Sequence, residues 1–349
     1  MSIGSLPPGA TAPFNRRRRI LREIFDRTVA GLAISGVLAM FGLLALIFLV
    51  LLDGAWMALV KVNWHFFTSS VWDPVKGHDH YGVLAFAYGT ALTTFIALLL
   101  AVPVSIGTAV FIVRIAPRWL SGPVSFLVEL LAAIPSVVYG LWGAFIMSPW
   151  LQNYPETWLY NALHNIHLIK LGYYPGSTPK YPLPEYFPAN LVHGGPSGTD
   201  YLAGGLILAI MILPIITAIT RDVLLQFPDS IEHGAYALGA TWWQTTWLAI
   251  NYCRVGIFGA AMLGMARAIG ETMAIIMVIG NTDRISSSLF AGGQTLTGVF
   301  VNEFLEADRP IYFSAMMYVA LTLLVSALVT TLAARFMINR IGTRHASEE

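Results

Sequence analysis

MARAIGETMAIIMVIGN, residues 265–281, sets two full charges, Arg267 and Glu271, inside a run that otherwise reads as membrane-buried. A charged residue at the centre of a membrane helix costs about 2.5–3.5 kcal/mol on translocon-type scales. The two positions are four apart, which on a helix brings both side chains to one face. An Arg–carboxylate contact there lowers the cost of burying either partner alone. Two readings follow for such a pair. It is a structural ion pair that fixes helix packing, or it is a polar patch lining a hydrated pathway for a charged substrate.

Composition places the whole chain beside that stretch. Of 349 residues, 56% are hydrophobic and only 11% charged, against roughly 25% charged in soluble domains. Such a balance points to a membrane, with lipid as a partner. The net charge of +1 gives no sign of nucleic acid, and none is expected as a partner. Cys253 is the lone cysteine, so an intrachain disulfide or a Cys-rich metal site is not expected. The histidines show no paired ligand spacing, and no Ser/His or Cys/His constellation suggests an enzyme. Neither a metal nor a cofactor is expected in this chain.

Apolar runs long enough to cross about 30 Å of hydrocarbon at about 1.5 Å per residue lie at Val29–Leu52, Tyr88–Val113, Leu120–Met147, Tyr201–Thr220, Val255–Ile279 and Ile311–Ile338. The expected fold is therefore an all-α membrane protein with six transmembrane helices. The first run follows the Arg-rich head NRRRRILREIFDR and is too long for a cleavable signal peptide, so it reads as a retained anchor. With the N-terminus inside, the inner flanks hold Arg16, Arg17, Arg18, Arg19, Arg22, Arg27, Arg114, Arg118, Arg221, Arg254, Arg335, Arg340 and Arg344. The outer loops hold Lys61, Lys76, Lys170, Lys180, Arg284 and Arg309. That asymmetry predicts cytoplasmic termini. The expected organisation is a basic cytoplasmic segment 1–28, a transmembrane domain 29–340 and a cytoplasmic tail 341–349.

Two loops stand out. The outer one, about 148–200, carries YPETWLY and GYYPGSTPKYPLPEYFPANL, whose proline density predicts extended or turning backbone. It is a passive connector or a docking surface for an external partner. The inner one, about 221–254, predicts a helix from Ile231, capped by Asp229 or Ser230 and ended by a left-handed Gly239. A second helical piece with Trp242, Trp243 and Trp247 follows, and its aromatics suit the bilayer interface. This loop is a docking site or an ordinary surface helix pair.

The third run contains ELLAAIPSVVYGLWG, where Pro135 predicts a kink and Gly140 adds local freedom. Glu129 falls two or three turns inside that run. With Arg267 and Glu271 it makes three intramembrane charges summing to −1, a poor site for tight anion binding. No GxxxxGK[ST] occurs, so the chain does not hold ATP in a P-loop. An inverted repeat of the secondary-transporter kind is not visible either. If transport is active, the motor is expected on another chain.

ELLAAIPSVVYGLWG (Glu129–Gly143), ARAIGETMAIIMVIGN (Ala266–Asn281) and VNEFLEA (Val301–Ala307) resemble phosphate ABC importer permeases of the PstC type. The likeness runs from about Tyr81 to Ile341. It implies a type I ABC importer architecture in a bacterial cytoplasmic membrane. It also implies pairing with a second permease subunit (PstA type), an ATPase dimer that holds the ATP and docks on the inner loop, and a periplasmic phosphate-binding protein. By the same resemblance Arg267 and Glu271 match charged positions linked to phosphate passage.

The inner loop departs from the family pattern of Glu-Ala-Ala followed four residues later by Gly. Gly239 and Ala235 match, but His233 stands at the Glu position and Gly234 at the first Ala. Glu232 is displaced by one residue, which turns it by about 100° on a helix. Asn251-Tyr252 replaces the usual Leu-Pro. The outer loop is also longer than the family norm. The expected function is one permease half of an ATP-driven phosphate importer. The alternatives are a permease for sulfate or molybdate, a self-powered transporter or channel, and a non-transporting membrane assembly protein.

Overall fold

The computed structural model describes residues 14–162 and 195–346, with side chains over 27–162 and 195–337. The stretch GYYPGSTPKYPLPEYFPANL, and with it most of the long outer loop, lies outside the described residues. So do 1–13 of the basic head and 347–349 of the tail.

The chain divides into two compact units, Met1–Asp53 and Gly54–Glu349. In the first, the described residues belong to helix α1 (Phe14–Val62). Its side chains from Arg27 to Val50 are all exposed, as suits a helix apolar on every side and solvated by lipid.

In the second unit a small antiparallel hairpin pairs Trp72–Asp73 (β1) with His80–Tyr81 (β2), Trp72 opposite Tyr81. Helix α2 (Leu84–Val110) then runs into a π-helical turn at Phe111–Ile115. Helix α3 (Arg118–Ala133) follows the extended Pro117. Beyond it come α4 (Ser136–Trp142), α5 (Tyr201–Leu224), α6 (Asp229–Ala237), α7 (Trp242–Tyr252), α8 (Arg254–Ile269), α9 (Met273–Ile276), α10 (Leu296–Glu303) and α11 (Pro310–Ala346).

Among the described residues, Arg27–Val62, Leu84–Ile115, Tyr201–Leu224 and Pro310–Met337 are long and apolar enough to cross a bilayer. Two bent pairs bring the count to six if each is one span: Arg118–Ala133 with Ser136–Ala162, bent by 90°, and Trp242–Tyr252 with Arg254–Ile269, bent by 62°. The all-α membrane fold stands. The third span, expected to kink at Pro135, and the fifth, expected as a continuous helix, are both broken.

The third breaks where Ile134 and Pro135 both take extended backbone, with ψ of 130° and 138°. Proline disfavours helical geometry at the residue before it and lacks the N–H to continue the ladder. The expected kink is thus a full break. Gly140 is not its hinge. A Cβ on Gly140 would meet Met277 Sδ at 2.7 Å and the Ala274 Cα at 3.0 Å, so its role is to let α4 lie against α9. Helical turns also continue to residue 162, into the expected outer loop. There Pro155 is taken up in a π-helical turn, Gln152–Glu156, where the ladder is already irregular.

The core gathers α2, α5, α8 and α9. Ala97 and Ala101 of α2 pack with Leu208, Ile212 and Ile216 of α5, Ala260 of α8 and Ile275 of α9. Lipid tails are as apolar as these side chains, so close approach through small residues and dispersion holds such helices together. Tyr139 and Met147 pack with Ile207, Met211 and Ala274 in a neighbouring cluster.

Candidate functional site

Helix α8 ends at Ile269, which leaves Arg267 in its last turn and Glu271 past its end. The two side chains expected to meet on one helix face therefore meet across the helix end. Gly270 and Glu271 still return backbone bonds to Ala266 and Ala268, each 3.3 Å. Thr272, at φ −118° and ψ −63°, then carries the chain out of the helix. Glycine and a β-branched residue flanking one position weaken a helix there. The freed Glu271 carbonyl accepts a bond from Thr297 Oγ1 at 2.8 Å, and Thr295 caps α10 by accepting from the Gly298 N–H. Irregular backbone at membrane depth is tolerated when protein satisfies it in this way.

Arg267 Nη2 lies 3.7 Å from Glu271 Oε2. That is ion-pair distance and too long for a hydrogen bond. The arginine side chain is 49% exposed and the carboxylate 8%. Glu271 is thus fixed in the protein, while the guanidinium keeps free donors in a planar fork that fits an oxyanion. Local charge sums to zero, so an anion meeting Arg267 is held only loosely.

Glu129 does not join them. Its carboxylate is bonded to Arg221 Nη1 at 3.0 Å, on the last turn of α5, and Arg221 also binds Asp222 at 2.8 Å. Helix α3 packs on α5, which brings Glu129 to Arg221.

The inner loop folds nearly as expected. Gly239 takes φ +84°, a left-handed geometry that glycine adopts freely. Helix α6 begins at Asp229 rather than Ile231, behind the extended Pro228 and without a side-chain cap. Asp229 and Glu232 fall in its first turn, where acidic groups suit the helix dipole. His233, Gly234 and Leu238 are exposed, and Ala235 is half-buried. Glu232 turns inward, its Oε1 2.6 Å from Arg114 Nη1. It therefore does not replace the missing carboxylate on the exposed face. Helix α7 carries a reciprocal Thr241–Gln244 capping box and exposes Trp243 and Trp247.

Three arrangements escape sequence reasoning. Arg114 pairs with a partner 118 residues away and reads in the sequence only as an inner-flank charge. Trp72 Nε1 and the Tyr312 hydroxyl both donate to Glu303 Oε2, at 2.6 and 2.8 Å, pinning the hairpin to the head of α11. Burial pushes the Glu303 carboxyl up, while these two donors pull it down. Glu303 does fall within VNEFLEA, the one signal available. Lastly, Glu156 and Asp200 are both fully buried. Glu156 Oε2 accepts from the Gly198 N–H at 2.8 Å, and Asp200 accepts from Ala203 N–H and Ser197 Oγ. Burial pushes Asp200 up to about 7; the Ala203 N–H opposes this and the Glu156 carboxylate adds to it.

A broken span thus holds an ion pair inside an apolar bundle whose inner-loop helix is exposed. The chain belongs to the family of binding-protein-dependent transport system inner membrane components, whose profile matches residues 101–338. Its relatives narrow this further. It is 40% identical to the phosphate transport system permease protein PstC of Mesorhizobium japonicum, over 94% of this chain and 93% of that protein. It is 37% identical to PstC of Xylella fastidiosa, over 99% and 100%, and 31% identical to the probable PstC of Methanocaldococcus jannaschii, over 93% and 96%. An inward-facing structure of the MetNI methionine ABC transporter is similar to 74% of this chain and 94% of its own, at 15% identity and a TM-score of 0.46.

Proposed function

We propose that this chain is the phosphate-conducting permease subunit of an ATP-driven importer, with Arg267 and Glu271 on the route. The observation that carries this reading is the half-exposed guanidinium held 3.7 Å from a buried carboxylate at a helix break. Such a group can meet phosphate oxygens as Glu271 gives it up, and retake Glu271 as they leave. The names borne by the relatives supply the cargo. A second permease of the PstA type completes the pathway, an external binding protein delivers phosphate, and an ATPase dimer holding the ATP docks on the exposed face of α6. Both termini lie in the cytoplasm of a bacterial cell, and the chain crosses its inner membrane several times. Glu129, bonded to Arg221, serves the inner end of the bundle rather than the route.

Proteoliposomes carrying this chain, the second permease and the ATPase test the reading. With binding protein outside and ATP inside, labelled phosphate should accumulate, and excess sulfate should not compete. Accumulation without ATP, or equal competition by sulfate, would contradict it.

A further inference from the structure

We infer that Arg114 and Glu232 form the joint through which α6 drives the pathway. The inference rests on the permease reading above. Arg114 sits in the π-helical turn that ends α2, and its side chain is only 9% exposed. Its guanidinium meets Glu232 Oε1 at 2.6 Å and lies over the Phe227 ring, 5.4 Å from the centroid. A charge-assisted bond and a cation–π contact together hold a planar cation in one orientation. Phe227 is itself buried in a cluster with Val110, Leu224, Ala249, Cys253 and Ile257. The root of α6 is thus fixed to the inner ends of α2, α5 and α8. A cleft of about 300 Å³ bordered by Arg114, Phe227, Glu232 and Trp242 leaves room beside the joint.

The far half of α2 reaches the candidate site. Thr90 Oγ1 accepts from the Leu296 N–H at 3.0 Å, and the next residue, Thr297, binds the Glu271 carbonyl. One helix is therefore hydrogen-bonded near its outer end to the segment that holds Glu271, and ion-paired at its inner end to α6. Displacement of α6 pulls on Glu232, and through Arg114 on α2. Arg114 is set in a π-helical turn, a common feature of functional sites. Spatial continuity alone does not prove coupling, so the joint needs a measurement that a merely structural ion pair would not move. Arg114 and Glu232 touch neither cargo nor nucleotide and act as positioning residues.

The experiment uses the complete complex in proteoliposomes, with phosphate accumulated per ATP hydrolysed as the readout and ATPase binding measured alongside. Arg114→Gln and Glu232→Gln should assemble and hydrolyse ATP, while phosphate moved per ATP falls about tenfold, within the reach of a coupling mutation. The charge-swapped double variant R114E/E232R, and Arg114→Lys, should regain most of it. An unchanged ratio in the single variants, or a loss that the swap and Arg114→Lys both fail to relieve, would overturn the inference. A drop in assembly with the ratio intact would also overturn it, leaving the pair structural. If the native complex moved no phosphate, the cargo reading would fail by itself. The joint is then judged by spin labels at Leu84→Cys and Val301→Cys. A nucleotide-dependent change in their spacing that Arg114→Gln abolishes supports the joint, and one that survives Arg114→Gln refutes it.

Discussion

A helix end separates Arg267 from Glu271. The arginine closes α8, the carboxylate lies past it, and 3.7 Å divides their nearest atoms. The two still form the i,i+4 ion pair that their spacing suggests. The break holds Glu271 against α10 and leaves Arg267 half exposed, which makes the pair asymmetric. Interhelical hydrogen bonding in membranes is modest per contact. The Thr297 bond to the Glu271 carbonyl therefore acts mainly by fixing where the carboxylate stands.

Gly140 is expected to tolerate no larger residue. Gly140→Leu places a side chain where Met277 and Ala274 already stand, and overpacking of this kind costs about 1–3 kcal/mol. The midpoint of thermal unfolding in detergent should fall, whereas Gly122→Leu, with open space around the position, should leave it unchanged. Equal midpoints for the two would remove the close approach of α4 and α9.

That contrast marks what could be read in one dimension. Apolar runs and basic flanks are sums over neighbouring residues, so the spans and the class of protein were visible in them. Hydropathy does not register backbone direction. Ile134–Pro135 and Gly270–Thr272 lie inside apolar runs, where the sequence reads as a kinked helix and a continuous one. Pro135 does carry a signal, since proline acts on the residue before it; hydropathy gives no sign of the 90° bend that follows. Charge in an apolar run looks alike wherever it points, so the sequence sets Glu129 beside Arg267 and Glu271. Its partner, Arg221, belongs to another helix, as does the Arg114 partner of Glu232. Pairings across such separations are set by tertiary structure alone.

Trp72→Phe keeps the ring in the hairpin and removes one donor to Glu303. A hydrogen bond to a charged group contributes about 1.5–3 kcal/mol, so unfolding should occur at lower denaturant concentration. Combining Trp72→Phe with Glu303→Met should cost less than the sum of the two single changes, because both delete the same bond. Strict additivity in a double-mutant cycle would show that the contact contributes nothing.

Asp200 holds its proton more tightly in the folded chain than in the unfolded one, at about 7 against an ordinary 3.8. Between those values the folded state binds more protons, so stability falls as pH rises through that window and levels off above it. Asp200→Asn retains a good helix N-cap and removes the titrating group. Thermal midpoints at about pH 5 and about pH 8 should then lie closer together in the variant than in the native chain. A native chain equally stable at both would contradict the burial of this carboxyl.

His233 is exposed on α6, one residue from the inward-facing Glu232. His233→Glu restores the acidic residue of the family pattern on the outward face. Its effect on the stability of this chain should stay within about 0.5 kcal/mol, as for other surface changes. ATPase affinity should change several-fold, read by titrating labelled ATPase onto detergent-solubilised permease. Unchanged affinity would place the docking face elsewhere.

Uptake of radiolabelled phosphate by cells expressing the full complex, native against Arg267→Gln, bears most directly on the permease reading. Both forms must first be shown to reach the membrane equally and to retain the ATPase. The half-exposed guanidinium beside buried Glu271 predicts that uptake is lost in the variant while assembly and ATPase binding persist. Uptake at the native rate in Arg267→Gln would return the pair to helix packing and take Arg267 off the route.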